Sequence, residues 1–194
     1  VPRAGLDPAT VTAAGADLAD ERGLDQLSMG LVAERLGVRT PSLYKHVESL
    51  ADLTRRVAVL AAVELGDTLR DALQGLSGRD ALDAAARTFR AYVLAHPGRY
   101  AATLGARPTG PDDEYAVATA RVLHSLAVVV RGYGVDTAQE THALRVVRSA
   151  LHGFATLEAG GGFQLATDVG DSFTWTVEFL DRGLRATASQ RSPR

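Results

Sequence analysis

Apolar positions recur along the chain at steps of three and four rather than two, and Gly, Pro and small polar residues punctuate the pattern at short intervals. Asp7-Pro8 supplies a cap acceptor followed by a proline and Gly23 supplies a stop, so a first helix is expected between them with Val11, Ala14 and Leu18 on its stripe. Ser28 caps a second helix, Met29 to Leu36, which Gly37 ends by accepting the left-handed backbone conformation. Thr40-Pro41 repeats the cap-plus-proline signal and opens a third helix through His46 or Val47. Ser49 and Asp52 form a capping box at the head of a long fourth helix that places Leu53, Val57, Leu60 and Val63 on its apolar faces.

Longer elements follow. A cap at Ser77 to Asp80 leads a helix to Ala95, and His96-Pro97-Gly98 breaks it before a short helical turn from Tyr100 to Leu104. Gly105 to Asp113 reads as a loop. Further helices are expected from Asp113 to Tyr133, from an Asp136 cap to Ala159, and from Asp168 or Asp171 to Leu184. No stretch alternates with period two and no long internal repeat is visible, so the fold class is all-α with about nine helices. The organisation expected is a three-helix module over residues 1–50, a helical domain over 51–187 and a flexible tail over 188–194.

Composition agrees: 46% of the 194 residues are apolar but only 6% aromatic, the balance of packed helices rather than sheets. The absence of cysteine excludes disulfides, thiolate metal sites and a cysteine nucleophile, and fits a cytoplasmic protein. No apolar run approaches the roughly 20 residues that span a bilayer, and residues 1–10 lack the pattern of a signal peptide. The only Met is Met29, so further residues ahead of Val1 are expected. A formal charge of −2 argues against non-specific coating of nucleic acid or anionic membranes, while leaving room for a local basic surface.

Such a surface is suggested by the second and third helices, which form a helix-turn-helix about Gly37. Val32, Leu36, Val38, Leu43 and Val47 point inward, leaving Arg39, Thr40, Ser42, Lys45 and His46 outside as a set of hydrogen-bond donors. Small Thr40 and Ser42 permit close approach, Lys45 suits guanine acceptors or phosphate, and Tyr44 and His46 suit phosphates or a thymine methyl. A Tyr-Lys-His run is also what a solvated helix face looks like, so the residues alone leave both readings open.

The segment LGVRTPSLYKHVESLADL, and in particular Leu43-Tyr44-Lys45-His46-Val47, resembles the recognition helix and flanks of the tetracycline-repressor (TetR) family of transcriptional regulators, over Leu6 to Leu60. The resemblance implies a homodimeric regulator, usually a repressor, with a ligand-controlled C-terminal helical domain. Carried over by position, it puts Thr40, Pro41, Ser42, Tyr44, Lys45 and His46 against operator DNA and Ser28 on a phosphate. Two positions depart from the family pattern: Leu50 stands where many members have a backbone-binding Lys, and Gly30 where some have an Arg. Fewer charged contacts are therefore expected, with Arg39, Lys45, Arg55 or Arg56 compensating, and a modest salt dependence of DNA binding.

In the C-terminal half, Leu144, Val147, Leu151 and Phe154, and Phe173, Val177, Leu180 and Leu184, recur at seam-like spacing, which suits a dimer interface or the chain's own core. Leu151 to Phe163, with His152-Gly153, resembles the C-terminal domain type named for a Trp-His-Gly signature, of which the Trp is missing here. For the effector that the resemblance implies, small and hydrophobic by the apolar character of its lining, Phe89, Tyr92, Leu104, Leu123 and Trp175 are candidate walls, and His96, Tyr100 and His124 polar points; for each of them a place in the core is the commoner role.

Enzyme signatures are missing. Neither the Glu-x-x-His pairs of di-iron bundles nor His-Glu-x-x-His is present, and there is no Walker-type loop or Gly-x-Ser-x-Gly elbow. No catalytic residue, metal or cofactor is expected. The rival to a DNA reader is a diverged helical module that binds a protein partner.

Overall fold

The computed structural model describes residues 6–189. It comprises α1 (Pro8–Arg22), a 3-10 turn over Leu24–Gln26, α2 (Met29–Leu36), α3 (Thr40–Leu43), α4 (Leu50–Ala72), α5 (Gly78–Ala95), α6 (Pro97–Gly105), α7 (Glu114–Gly132), α8 (Thr137–Ala159) and α9 (Val169–Ser189), with no strand among the described residues. The all-α expectation holds, and the caps read from the sequence make their bonds. Asp7 Oδ1 accepts the Thr10 N–H at 2.7 Å, Ser28 Oγ the Leu31 N–H at 3.3 Å and Asp136 Oδ1 the Ala138 N–H at 2.9 Å, each satisfying an amide that the helix leaves orphaned.

Three elements differ from expectation: the short helix expected from Tyr100 to Leu104 already begins at Pro97 and runs to Gly105, with His96 as its N-cap. The third helix closes at Leu43, and Arg39 rather than Thr40 stands at its N-cap. Tyr44, Lys45 and His46 continue as a turn, held by the His46 N–H to the Leu43 carbonyl at 2.9 Å. The last helix runs beyond Leu184 to Ser189, where the Thr187 and Ser189 hydroxyls donate back to the carbonyls of Gly183 and Arg185. Residues 190–194, most of the expected tail, lie outside the described residues.

Packing groups the chain into two compact units. One compact unit takes residues 1–64 and 95–118, the other 65–94 and 119–194. In the first, Val11, Leu18, Val32, Leu43, Val47, Leu53 and Val57 form a continuous core in which α1 to α4 meet, joined by Ala102 of α6 and Tyr115 of α7. The close contact of α6 with α1 is made possible by Gly98, where a Cβ would stand 1.9 Å from the Ala19 carbonyl oxygen. Beside it, Arg99, only 14% exposed, reaches three acids: Glu64 of α4 at 3.0 Å, Asp20 of α1 at 2.9 Å, and Asp17 of α1.

In the second unit, Leu82, Phe89, Val93, Leu126, Val130, Val147, Leu151, Phe173 and Val177 are buried. The Arg90 guanidinium lies 4.7 Å above the Phe173 ring centre while its Nε donates to Glu158 at 2.6 Å, linking α5 to α8 and α9. Asp181, a buried carboxylate, accepts the Tyr133 hydroxyl at 2.7 Å and bonds Arg185 at 2.9 Å and Arg79 at 3.4 Å. Burial and that hydrogen bond push the Tyr133 phenol above its ordinary range.

Candidate nucleic-acid interface

The reading element is built from the turn outward. Gly37 takes φ 65°, the left-handed conformation that ends α2, and the Val38 N–H bonds the Ala33 carbonyl at 3.0 Å to redirect the chain. Thr40-Pro41 then starts α3. Leu43 and Val47 are buried against Val32, Ala33 and Met29, so the short helix is pinned from beneath. Arg35 braces α2 on α1 by pairing with Glu21, its Nη1 lying 3.1 Å from Oε1.

That pinning decides which side chains face outward. Arg39, Pro41, Tyr44 and Lys45 are exposed, Tyr44 by 53%, while Thr40, Ser42 and His46 are half-buried. Among the described residues, Arg39 and Lys45 make no ion pair, which leaves both cations available to an outside anion. Ser28 uses an oxygen lone pair to cap α2, but its hydroxyl hydrogen can still donate. Asp7, at the start of α1, has its carboxyl held below the usual range first by the Thr10 amide and also by nearby His46.

The two compensating arginines expected on α4 are otherwise engaged. Arg55 pairs with Asp113 and donates to the Arg107 carbonyl at 3.0 Å, and Arg56 Nε bonds Asp52 at 3.0 Å. The unpaired charge of the reader therefore rests on Arg39 and Lys45. Gly30 and Leu50 are both exposed, so nothing in the core demands an uncharged residue at either position.

The residues read as effector walls are not gathered in one unit. His96, Tyr100 and Leu104 fold with the first unit, and Phe89, Tyr92, Leu123, His124 and Trp175 with the second. Phe89, Tyr92 and Tyr100 are buried, Leu123 is half-buried, and Leu104, His124 and Trp175 stand on the surface. His96 Nδ1 lies 3.0 Å from Asp20 Oδ2, so this polar point already has a hydrogen-bonding partner in α1.

The expected dimer stripe turns inward as well. Val147, Leu151, Phe173, Val177, Leu180 and Leu184 are buried within the chain, and Leu144 and Phe154 half-buried. A seam spacing marks an apolar face without saying what covers it, and here α8 and α9 pack on each other, Phe154 of one meeting Phe173 of the other edge-on at 5.1 Å. A second apolar face remains outward: Val146 and Leu157 on α8, Trp175 and Phe179 on α9. A groove of about 210 Å³ runs between these helices, lined by Gln139, His142, Val146, Phe179, Gly183 and Thr187 among others.

A family model of bacterial regulatory proteins of the tetR family matches residues 11–57, and one of tetracyclin repressor-like C-terminal domains matches residues 82–180. An uncharacterised HTH-type transcriptional regulator of Mycobacterium tuberculosis is 36% identical over 169 residues, covering 87% of this chain and 74% of that one. Among solved structures, a TetR variant from Acinetobacter baumannii AYE in complex with minocycline is similar with a TM-score of 0.71 and 25% identity, covering 96% of this chain and 100% of that one. BioQ with its natural double-stranded DNA operator shares the fold, with a TM-score of 0.69 at 23% identity over 94% of this chain and 99% of that one. With both halves matched and a relative of this identity aligned over most of its length, the chain belongs to the TetR family and is a DNA-binding transcriptional regulator, not an enzyme.

Proposed function

We propose that the protein is a cytoplasmic repressor that binds a palindromic operator as a homodimer and is released by a small hydrophobic effector held in its C-terminal helices. The observation that carries this reading is the outward set Arg39, Tyr44 and Lys45 on an element pinned by Leu43 and Val47. A four-residue α3 spans too little of a groove to specify an operator alone, and two copies related by a two-fold axis, reading half-sites about 34 Å apart, double the sequence read. Thr40, Pro41, Ser42 and His46 complete the DNA-facing set, with Ser28 on a phosphate. That a related TetR binds minocycline and BioQ binds its operator supports the two-ligand logic.

Release would act through α4, which begins directly after the reading element. Rigid half-site spacing makes affinity sensitive to a small displacement of either reader. Moving the population from about 1:99 to 99:1 requires the effector to prefer the released state by about 5.5 kcal/mol.

A second reading, a diverged module that binds a protein partner in place of DNA, is favoured by the uncharged Gly30 and Leu50. Selection of the purified protein against a random-sequence DNA pool, repeated with Lys45→Ala and Tyr44→Ala, separates the two. A palindromic site lost in both variants is expected; no enriched sequence at low salt would transfer the case to the protein partner.

A further inference from the structure

Of the 21 lysines and arginines in the chain, Lys45 alone is a lysine. Every other basic position carries a guanidinium, which stays protonated in proteins and is inert toward acyl donors, whereas an amine that has shed its proton is a nucleophile. Reading DNA does not call for the exception. Arg meets phosphate and guanine with a planar fork that Lys lacks, so either contact would be served at least as well by the residue the chain uses everywhere else. What lysine adds at position 45 is the chemistry of a primary amine.

The fold leaves that amine open to a reagent. Lys45 is exposed, lies in the turn of residues 44–46 that follows α3, and among the described residues has no carboxylate paired with it. Leu43 and Val47, buried on either side of the turn, hold the segment from beneath and keep Lys45 outward. Arg39, the reader's other cation without an ion pair among the described residues, adds to the positive field and draws small dianions to the same surface. An acyl phosphate is such a dianion, and it carries its own leaving group.

We propose that Lys45 is an acylation site through which an acyl phosphate weakens the grip of the reader on DNA. The unprotonated Nζ attacks the carbonyl carbon, the bond from that carbon to the phosphate oxygen breaks, inorganic phosphate leaves and the nitrogen gives one proton to solvent. An amide forms with no change of oxidation state. It is neutral, so one of the two cations on which the reader's unpaired charge rests is lost, and a bulkier group stands where the duplex approaches. This rests on the DNA-facing set proposed above and adds a control that acts on the reader itself, apart from any effector in the C-terminal helices.

The full chain is treated with acetyl phosphate in the same tube as Nα-acetyl-lysine, and the products are followed by peptide mass. Lys45 should be acetylated about threefold or more faster than the free amino acid, drawn by the local field, and operator selected from the random-sequence pool, added beforehand, should slow it. The acetylated chain should bind that operator about tenfold more weakly, with a salt slope flatter by about 0.9 where the amine met a phosphate. Hydroxylamine, which strips acetyl from a tyrosine hydroxyl such as that of Tyr44 but not from an amide, should not restore binding. Lys45→Arg treated in the same way should keep after treatment whatever affinity it had before. Acetylation of Lys45 no faster than that of the free amino acid, or an acetylated chain that binds operator as tightly as the untreated one, would overturn the proposal. If no operator is enriched by the untreated chain, the DNA-facing reading falls and this inference with it, even where the mass places acetyl on Lys45.

Discussion

The Cβ that Gly98 lacks would lie 1.9 Å from the carbonyl oxygen of Ala19, so α6 and α1 touch backbone to backbone. No rotamer change relieves such a clash, because the obstacle is main chain. Gly98→Ala must part the two helices or bend one, and overpacking of this kind costs about 1–3 kcal/mol or more. A lower urea midpoint is expected, with the loss of protection from hydrogen exchange centred on α1 and α6. An unchanged midpoint would show that α6 is not seated against α1.

One residue further on, Arg99 is the shared counter-charge of Asp17, Asp20 and Glu64. Deleting it leaves those carboxylates of α1 and α4 close together without the cation they share. Arg99→Ala is expected to cost about 1–3 kcal/mol, the range for charged hydrogen bonds left unmade. Arg99→Lys should recover only part of this, since an ammonium cannot reproduce the fork that reaches Glu64 and Asp17 from two different nitrogens. Equal midpoints for wild type and Arg99→Ala would rule the cluster out as a source of stability.

Neither residue announces its role in the sequence. Arg99 stands 82 positions from Asp17 and 35 from Glu64, and no local pattern reports a pairing at that range. Helix ends were legible because their chemistry is local: Asp7, Ser28 and Asp136 cap amides two or three residues away, and Gly37 ends α2 by its own conformation. The third helix closes earlier than its pattern predicts because its apolar residues, Leu43 and Val47, are satisfied equally by a four-residue helix followed by a turn. Seam spacing in α8 and α9 identified Val147, Leu151 and Val177 correctly as apolar-face residues, but periodicity does not say whether that face meets the same chain or another. The outward face, with Val146 and Phe179, was missed because two apolar stripes on one helix blur into a single pattern. Residue type alone points Trp175 to a pocket, whereas the helix phase puts it on the surface.

The family's charged positions can be restored on this scaffold. At Gly30 an added Cβ would meet only the Ser28 Oγ, at 3.9 Å, and Leu50 is exposed at the first position of α4. Gly30→Arg and Leu50→Lys should therefore fold as well as wild type, Gly30→Arg with a helix-propensity gain of up to about 1 kcal/mol. Each should tighten DNA binding at low salt and steepen the salt slope by about 0.9 for every additional phosphate neutralised. A slope unchanged in both variants would mean that these positions do not approach the duplex.

The same measurement distinguishes the cations already present. Lys45→Ala should flatten the salt slope by about 0.9 if its ammonium meets a phosphate, or weaken binding selectively for one base pair if it meets a base edge. Arg56→Ala should leave the slope where it is, because its guanidinium is paired with Asp52. A larger slope change for Arg56→Ala than for Lys45→Ala would reverse the assignment of which side chains reach DNA.

Asp113 gives the first unit a signature in acid. Its carboxylate accepts the Thr109 hydroxyl at 2.6 Å and the Ala116 N–H at 3.1 Å and pairs with Arg55, and these bonds, the Thr109 one foremost, lower its pKa from 3.8 to about 2. Because the folded value lies below the ordinary one, the stabilisation is fully present above about pH 4 and is lost as pH falls toward about 2. Asp113→Asn removes the charge while keeping an oxygen that can accept from the backbone. The variant should be less stable than wild type at neutral pH, and the gap between their urea midpoints should narrow steadily between about pH 4 and pH 2. Other carboxylates held low, such as Asp7 and Asp181, titrate in both proteins and cancel in the difference. A gap that stays constant through that window would mean that the Asp113 charge contributes nothing to the fold.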